Sequence, residues 1–119
     1  MAEERLQRRL AAILSADVVG YSRLMGIDEA GTLARLKAMR RDLIDPMIAA
    51  HSGRTFKLMG DGALVEFASA VDAVTCAIEI QKQVRECNAG CPEDNRIQFR
   101  IGINVGESLP MATTSMVTA

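Results

Sequence analysis

The sequence predicts a mixed α/β domain, more fully an α+β domain, whose elements run β-α-β-β-α-β. Three observations carry this: a short apolar run with strand composition, two stretches with helical spacing around a Gly-Asp-Gly turn, and a final stretch of alternation. Ala12 to Val19 is rich in Ile, Leu and Val and ends at Gly20, which suits a buried strand; its odd member is Asp17. Asp28 reads as an N-cap, and Leu33, Leu36, Met39, Leu43 and Met47 recur at helical spacing, predicting a long helix that kinks at Pro46 and stops at Gly53. Thr55 to Met59 and Ala63 to Phe67 read as strands joined through Gly60, Asp61 and Gly62. Ser69 with Asp72 opens a second helix, with Val71, Val74, Ala77, Ile78 and Val84 expected as its buried stripe. Asn88 to Asn95 is expected to be a loop. Ile97, Phe99, Ile101, Ile103 and Val105 then alternate with more polar or smaller residues, the pattern of a strand with two different faces.

This order is the split βαβ, or ferredoxin-like, arrangement, with the first and third strands side by side in the middle of an antiparallel sheet. The first strand then ends at the edge where the hairpin turns, so Asp17 and Asp61 should meet. Carboxylates at close range repel unless a cation lies between them. Mg²⁺ and related ions take carboxylate oxygens together with substrate phosphates, and a pair of them can clamp both oxygens of a displacement at phosphorus. Gly20, Tyr21 and Ser22 follow Asp17 at the start of a helical region, where free backbone N–H groups can hold a triphosphate. Simpler roles compete: Asp-Gly is a turn pair, and an aspartate at a strand end is often a cap.

A chain of 119 residues with 49% hydrophobic content supports one core, and nothing in it reads as a linker. Its apolar runs are too short to span a membrane, and Met1 to Arg9 is too charged for a signal peptide, so a cytoplasmic location is expected. Cys76, Cys87 and Cys91 are expected as reduced thiols, since Cys87 and Cys91 have no second ligand pair for zinc. A net charge of -1 provides no global field for nucleic acid or an anionic membrane.

The runs Ser15-Ala16-Asp17-Val18-Val19-Gly20-Tyr21-Ser22, Lys57-Leu58-Met59-Gly60-Asp61-Gly62 and Phe99-Arg100-Ile101-Gly102-Ile103-Asn104 resemble, in order and spacing, the catalytic domain of class III adenylate and guanylate cyclases. The resemblance covers roughly Arg8 to Glu107. It implies that Asp17 and Asp61 bind two Mg²⁺ or Mn²⁺ ions with the carbonyl of Val18 beside them. It also implies that ATP is converted to cyclic AMP and pyrophosphate by attack of the ribose 3'-hydroxyl on the α-phosphorus. Lys57 falls where such domains read the purine; an ammonium only donates, which suits adenine and not the N–H of guanine. Family members act as head-to-tail dimers with composite sites, so Asp17 and Lys57 of one chain would serve different sites.

The plain alternatives for the remaining residues are a cap or dipole partner for His51, and a solvated face for Arg5, Arg8, Arg9, Arg35, Arg40 and Arg41. Met25, Met39 and Met47 read as core filler. A non-catalytic ferredoxin-like binding or dimerisation module that keeps the metal pair is the alternative function. The reading divides the chain into an extension over 1–10, a partial cyclase domain over 11–107 that lacks its C-terminal strands and helix, and an aberrant tail over 108–119. The short N-terminus is expected to leave no room for an upstream regulatory domain. The resemblance implies that the domain continues after Glu107 into a segment resembling D-G-D-D-I-Y-G-D-G, which holds the acidic partner that reads adenine with Lys57, and then a helix whose Asn and Arg would steady charge on the transition state. Met111 to Ala119 shows no strand or helix logic, yet read one base earlier its codons force two glycines and permit that segment at every position. A base lost near Glu107 is the expectation, with a catalytically silent chain and exposed apolar sheet surface as its consequences; an unrelated natural tail is the alternative.

Overall fold

A computed structural model describes residues 10–107 and 117–118. The elements are β1 (Leu10–Val18), α1 (Tyr21–Ile27), α2 (Glu29–Met39), α3 (Asp45–Ala50), β2 (Arg54–Met59), β3 (Gly62–Phe67), α4 (Ala70–Asn88), β4 (Phe99–Glu107) and β5 (Val117–Thr118). The strands form one antiparallel sheet in the order β2-β3-β1-β4-β5. The expected split βαβ order is therefore present, with β1 central between β3 and β4. Expectations for Arg5, Arg8, Arg9 and most of 108–119 lie outside the described residues. Val117 and Thr118 do pair, with Ile103 and Gly102, where no strand logic was legible.

Strand periodicity divides β1 cleanly. Ala12 and Leu14 are fully buried and Ala16 packs against them, on the face covered by the helices. Their cross-strand neighbours Val65, Phe67, Ile101 and Ile103 belong to the same core. Asp17 and Ser15, one residue out of phase, lie on the opposite face.

The first helical region departs from a single kinked helix. Asp28 caps α2 by accepting the Gly31 N–H at 3.0 Å, but residues Tyr21–Ile27 already form a separate short helix before it. The irregularity predicted at Pro46 begins upstream, as a π-helical turn over Arg40–Ile44 in which the Asp45 N–H reaches back to the Arg40 carbonyl. Proline offers no N–H and its ring crowds the carbonyl four residues earlier, so a widened preceding turn relieves both problems. Pro46 itself sits in the first turn of α3, where proline is tolerated. His51 is the C-cap of α3, and the left-handed residue that follows is Ser52 (φ 63°), not Gly53.

The buried stripe of α4 includes the predicted Ala77 and Val84 but otherwise differs from the predicted one. Val71 and Ile78 are 73% and 63% exposed and Val74 is exposed too, whereas Ala73, Cys76, Ala77, Ile80 and Val84 face the core. Both sets have helical spacing, and hydrophobicity alone favours the larger valines. Close approach of helix to sheet instead selects the face with small side chains. The start of α4 is as expected: Ser69 Oγ accepts the Asp72 N–H at 3.3 Å.

Burial pushes the Cys76 thiol from 9.0 up to about 11. The folded state therefore holds this proton more tightly than the unfolded chain. The resulting stability is intact below pH 9 and is lost as pH rises towards about 11, by at most about 3 kcal/mol. Urea unfolding between pH 8.5 and 11 should show this decline, and Cys76→Ala should flatten it; the same slope in both proteins would contradict the assignment.

Candidate functional site

Asp17 sits one residue from the end of β1, on the sheet face away from the helices, opposite Gly62 of β3 and Arg100 of β4. Its Oδ2 accepts a hydrogen bond from Arg100 Nη2 at 3.3 Å. With side chains 41% and 63% exposed, this ion pair stabilises the fold by under about 1 kcal/mol. Asp17 Oδ1, by contrast, is buried and has no hydrogen-bond partner among the described residues. A buried carboxylate oxygen without a donor is costly, which makes it a ready ligand for a cation.

Asp61 occupies the β2–β3 turn, as the hairpin composition predicted. Its backbone carbonyl accepts the Val18 N–H at 3.0 Å, tying the turn to the residue after Asp17. The two aspartates are thus brought to the same sheet edge, with the backbone of Val18 between them. Gly62 permits this closeness: a Cβ there would lie 2.5 Å from the Ala16 carbonyl oxygen and 3.3 Å from Asp17 Cβ. Asp61 and Arg40 also line a small cavity of about 50 Å³ between hairpin and helices, its walls otherwise mostly apolar.

Gly20 turns the chain out of β1 with left-handed backbone (φ 63°, ψ 36°) and caps α1 without a side-chain hydrogen bond. Glycine reaches that region at no steric cost. Tyr21 and Ser22 form the first turn of α1, close behind Asp17 in the chain.

Lys57 does not join the aspartates. It is exposed on the edge strand β2, just past a bulge at Phe56, and pairs with Leu64, which in turn pairs with Ser15. Two strand spacings, about 10 Å, separate its position from β1. The sequence motif around Arg100 assigns it no role; only the β1–β4 register, which places it opposite Asp17, exposes its proximity to the site.

The donor set suits Mg²⁺ or Mn²⁺ better than zinc. It offers carboxylate and carbonyl oxygens, and no group of three or more His, Cys, Asp or Glu side chains that could hold a metal occurs among the described residues.

No protein-family model matches the chain. It is 50% identical over 107 residues to a Rhizobium meliloti (strain 1021) protein provisionally named adenylate cyclase 3, a match covering 90% of this chain and 18% of that protein. A solved adenylate/guanylate cyclase/hydrolase from Silicibacter pomeroyi matches at 50% identity with TM-score 0.78, covering 85% of this chain and 59% of that one. The P. aeruginosa adenylyl cyclase CyaB shares the fold at 22% identity and TM-score 0.69, over 95% of this chain and 65% of its own. The chain belongs to the class III nucleotide cyclase family. It spans less than two thirds of each of these relatives.

Proposed function

We propose that this chain carries the metal-binding part of an adenylate cyclase site, serving cyclic AMP synthesis in cytoplasmic signal transduction. The observation that carries the reading is the backbone bond that ties Asp61 to Val18, next to Asp17, with the Asp17 Oδ1 atom buried and without a partner among the described residues. Asp17, Asp61 and the Val18 carbonyl would hold two Mg²⁺ or Mn²⁺ ions, whose Lewis acidity would favour attack of a ribose 3'-hydroxyl on the α-phosphorus of ATP. Gly20 leads the backbone into α1 so that the amides of Tyr21 and Ser22 can face the triphosphate. Lys57 reads adenine in a homodimer's other site, which accords with its separation from Asp17 along the sheet. The wholly exposed strand β2, with Phe56, Leu58 and Met59 at its surface, supports pairing with a second subunit.

The transition-state Asn and Arg and the acidic partner of Lys57 implied by the family are absent from the described residues, so the purified 119-residue chain should form no measurable cyclic AMP. Loss of one such donor costs about 10²- to 10³-fold in rate. Robust synthesis would refute that expectation, and would also exclude the alternative of a purely non-catalytic module. In a chimera that continues after Glu107 with the remainder of the Silicibacter pomeroyi domain, ATP should be preferred over GTP. Lys57→Glu should lower that preference by about tenfold or more, because a donor matched to adenine is replaced by an acceptor. Equal use of both nucleotides before and after the change would remove Lys57 from the assignment.

A further inference from the structure

A second pocket lies away from the aspartates, between the end of α2 with its π-helical turn and the end of α4 with the loop that follows. It has a volume of about 300 Å³, and Ala38, Met39, Leu43 and Ile97 make much of its wall apolar. Arg35 also lines it, and this arginine is poorly provided for. Its Nε is buried with no hydrogen-bond partner. Its Nη2 has one weak bond, at 3.4 Å to Thr32 Oγ1, a hydroxyl whose own proton goes to the Leu24 carbonyl. Among the described residues no carboxylate forms an ion pair with it. The sequence reading of Arg35 as part of a solvated face does not describe this half-buried position.

We propose that this pocket binds a small monocarboxylate with an apolar body, the carboxylate paired to Arg35. A guanidinium edge with an unused N–H matches a carboxylate in shape and charge. The apolar wall favours a hydrocarbon body, and the volume lies at the lower end for small-molecule sites. A phosphate or dianion fits poorly. Among the described residues Arg35 is the only cation lining the pocket, and the acid beside it, Asp42, is held charged by its hydrogen bond with Arg41 and would repel a second negative charge. Ile97 shares a buried cluster with Val18, so an occupant would press on the strand end that carries Asp17.

Titration of the ¹⁵N-labelled 119-residue chain with octanoate tests this, with octanol as the uncharged probe of similar length. Saturable shifts are expected at the amides of Ala38, Cys91 and Ile97, with octanol binding at least tenfold more weakly. Arg35→Met, which keeps the apolar stem, should weaken octanoate at least tenfold and leave octanol unchanged. Bound octanoate should also slow alkylation of Cys91, which lines the pocket. Equal binding of octanoate and octanol by the unmodified chain would overturn the proposal. So would octanoate shifts confined to other surfaces, or no saturable shift at all.

Discussion

Asp17→Asn should abolish Mn²⁺ binding by this chain, lowering affinity by about a hundredfold or more. The substitution keeps the side chain's shape, and its amide oxygen can still accept from Arg100, which contributes little to stability at these exposures. What it removes is the negative charge on the one site oxygen that is buried without a donor. Cation affinity at an oxygen site depends on carboxylate charge, and Asp61 alone leaves too little of it. Electron paramagnetic resonance of free Mn²⁺ across a titration reads the effect directly. Thermal unfolding of the same variant should stay near that of the parent. Unchanged titration in Asp17→Asn would sink the metal assignment, whatever the fate of the adenine-reading role given to Lys57.

Phe67→Ala should destabilise the domain by about 3 to 5 kcal/mol. Phe67 is fully buried at the end of β3, in the main core cluster beside Ile48 and opposite Ala12. Gly53 lies against its ring so tightly that a Cβ at Gly53 would come within 2.6 Å of it. The ring thus fills the corner where the chain leaves α3 for β2, against Gly53 and Ile48. Small domains have total stabilities of about 5 to 15 kcal/mol, so a loss of this size leaves the fold marginal. Urea unfolding should show a lower midpoint with an unchanged slope. A loss under about 1 kcal/mol would mean that the corner repacks freely.

The ferredoxin-like order was legible because β1 to β4 and the starts of α2 and α4 announce themselves locally. The alternation through Ile97 to Val105 and the glycines around Asp61 depend only on neighbours in the chain. That order also sufficed to bring Asp17 and Asp61 together, since a hairpin beside a central strand leaves its turn at that strand's end. Other features were decided in three dimensions. Two stripes of α4 have helical spacing and share Ala77 and Val84, and only packing against the sheet selects Ala73, Cys76 and Ile80 over Val71, Val74 and Ile78. The π-helical turn at Arg40–Ile44 answers a proline further along the helix, and residues 40–44 themselves give no sign of it.

What the sequence by itself determined, then, was the order of β1 to β4, the caps at Asp28 and Ser69, the turn around Asp61, and the placing of both aspartates at one sheet edge. Only the tertiary structure decided that Arg100 faces Asp17 and that, among the described residues, one Asp17 oxygen is buried without a donor and Arg35 lines a pocket without an ionic partner. These depend on strand register and on contacts between residues up to 83 positions apart, which no local periodicity encodes.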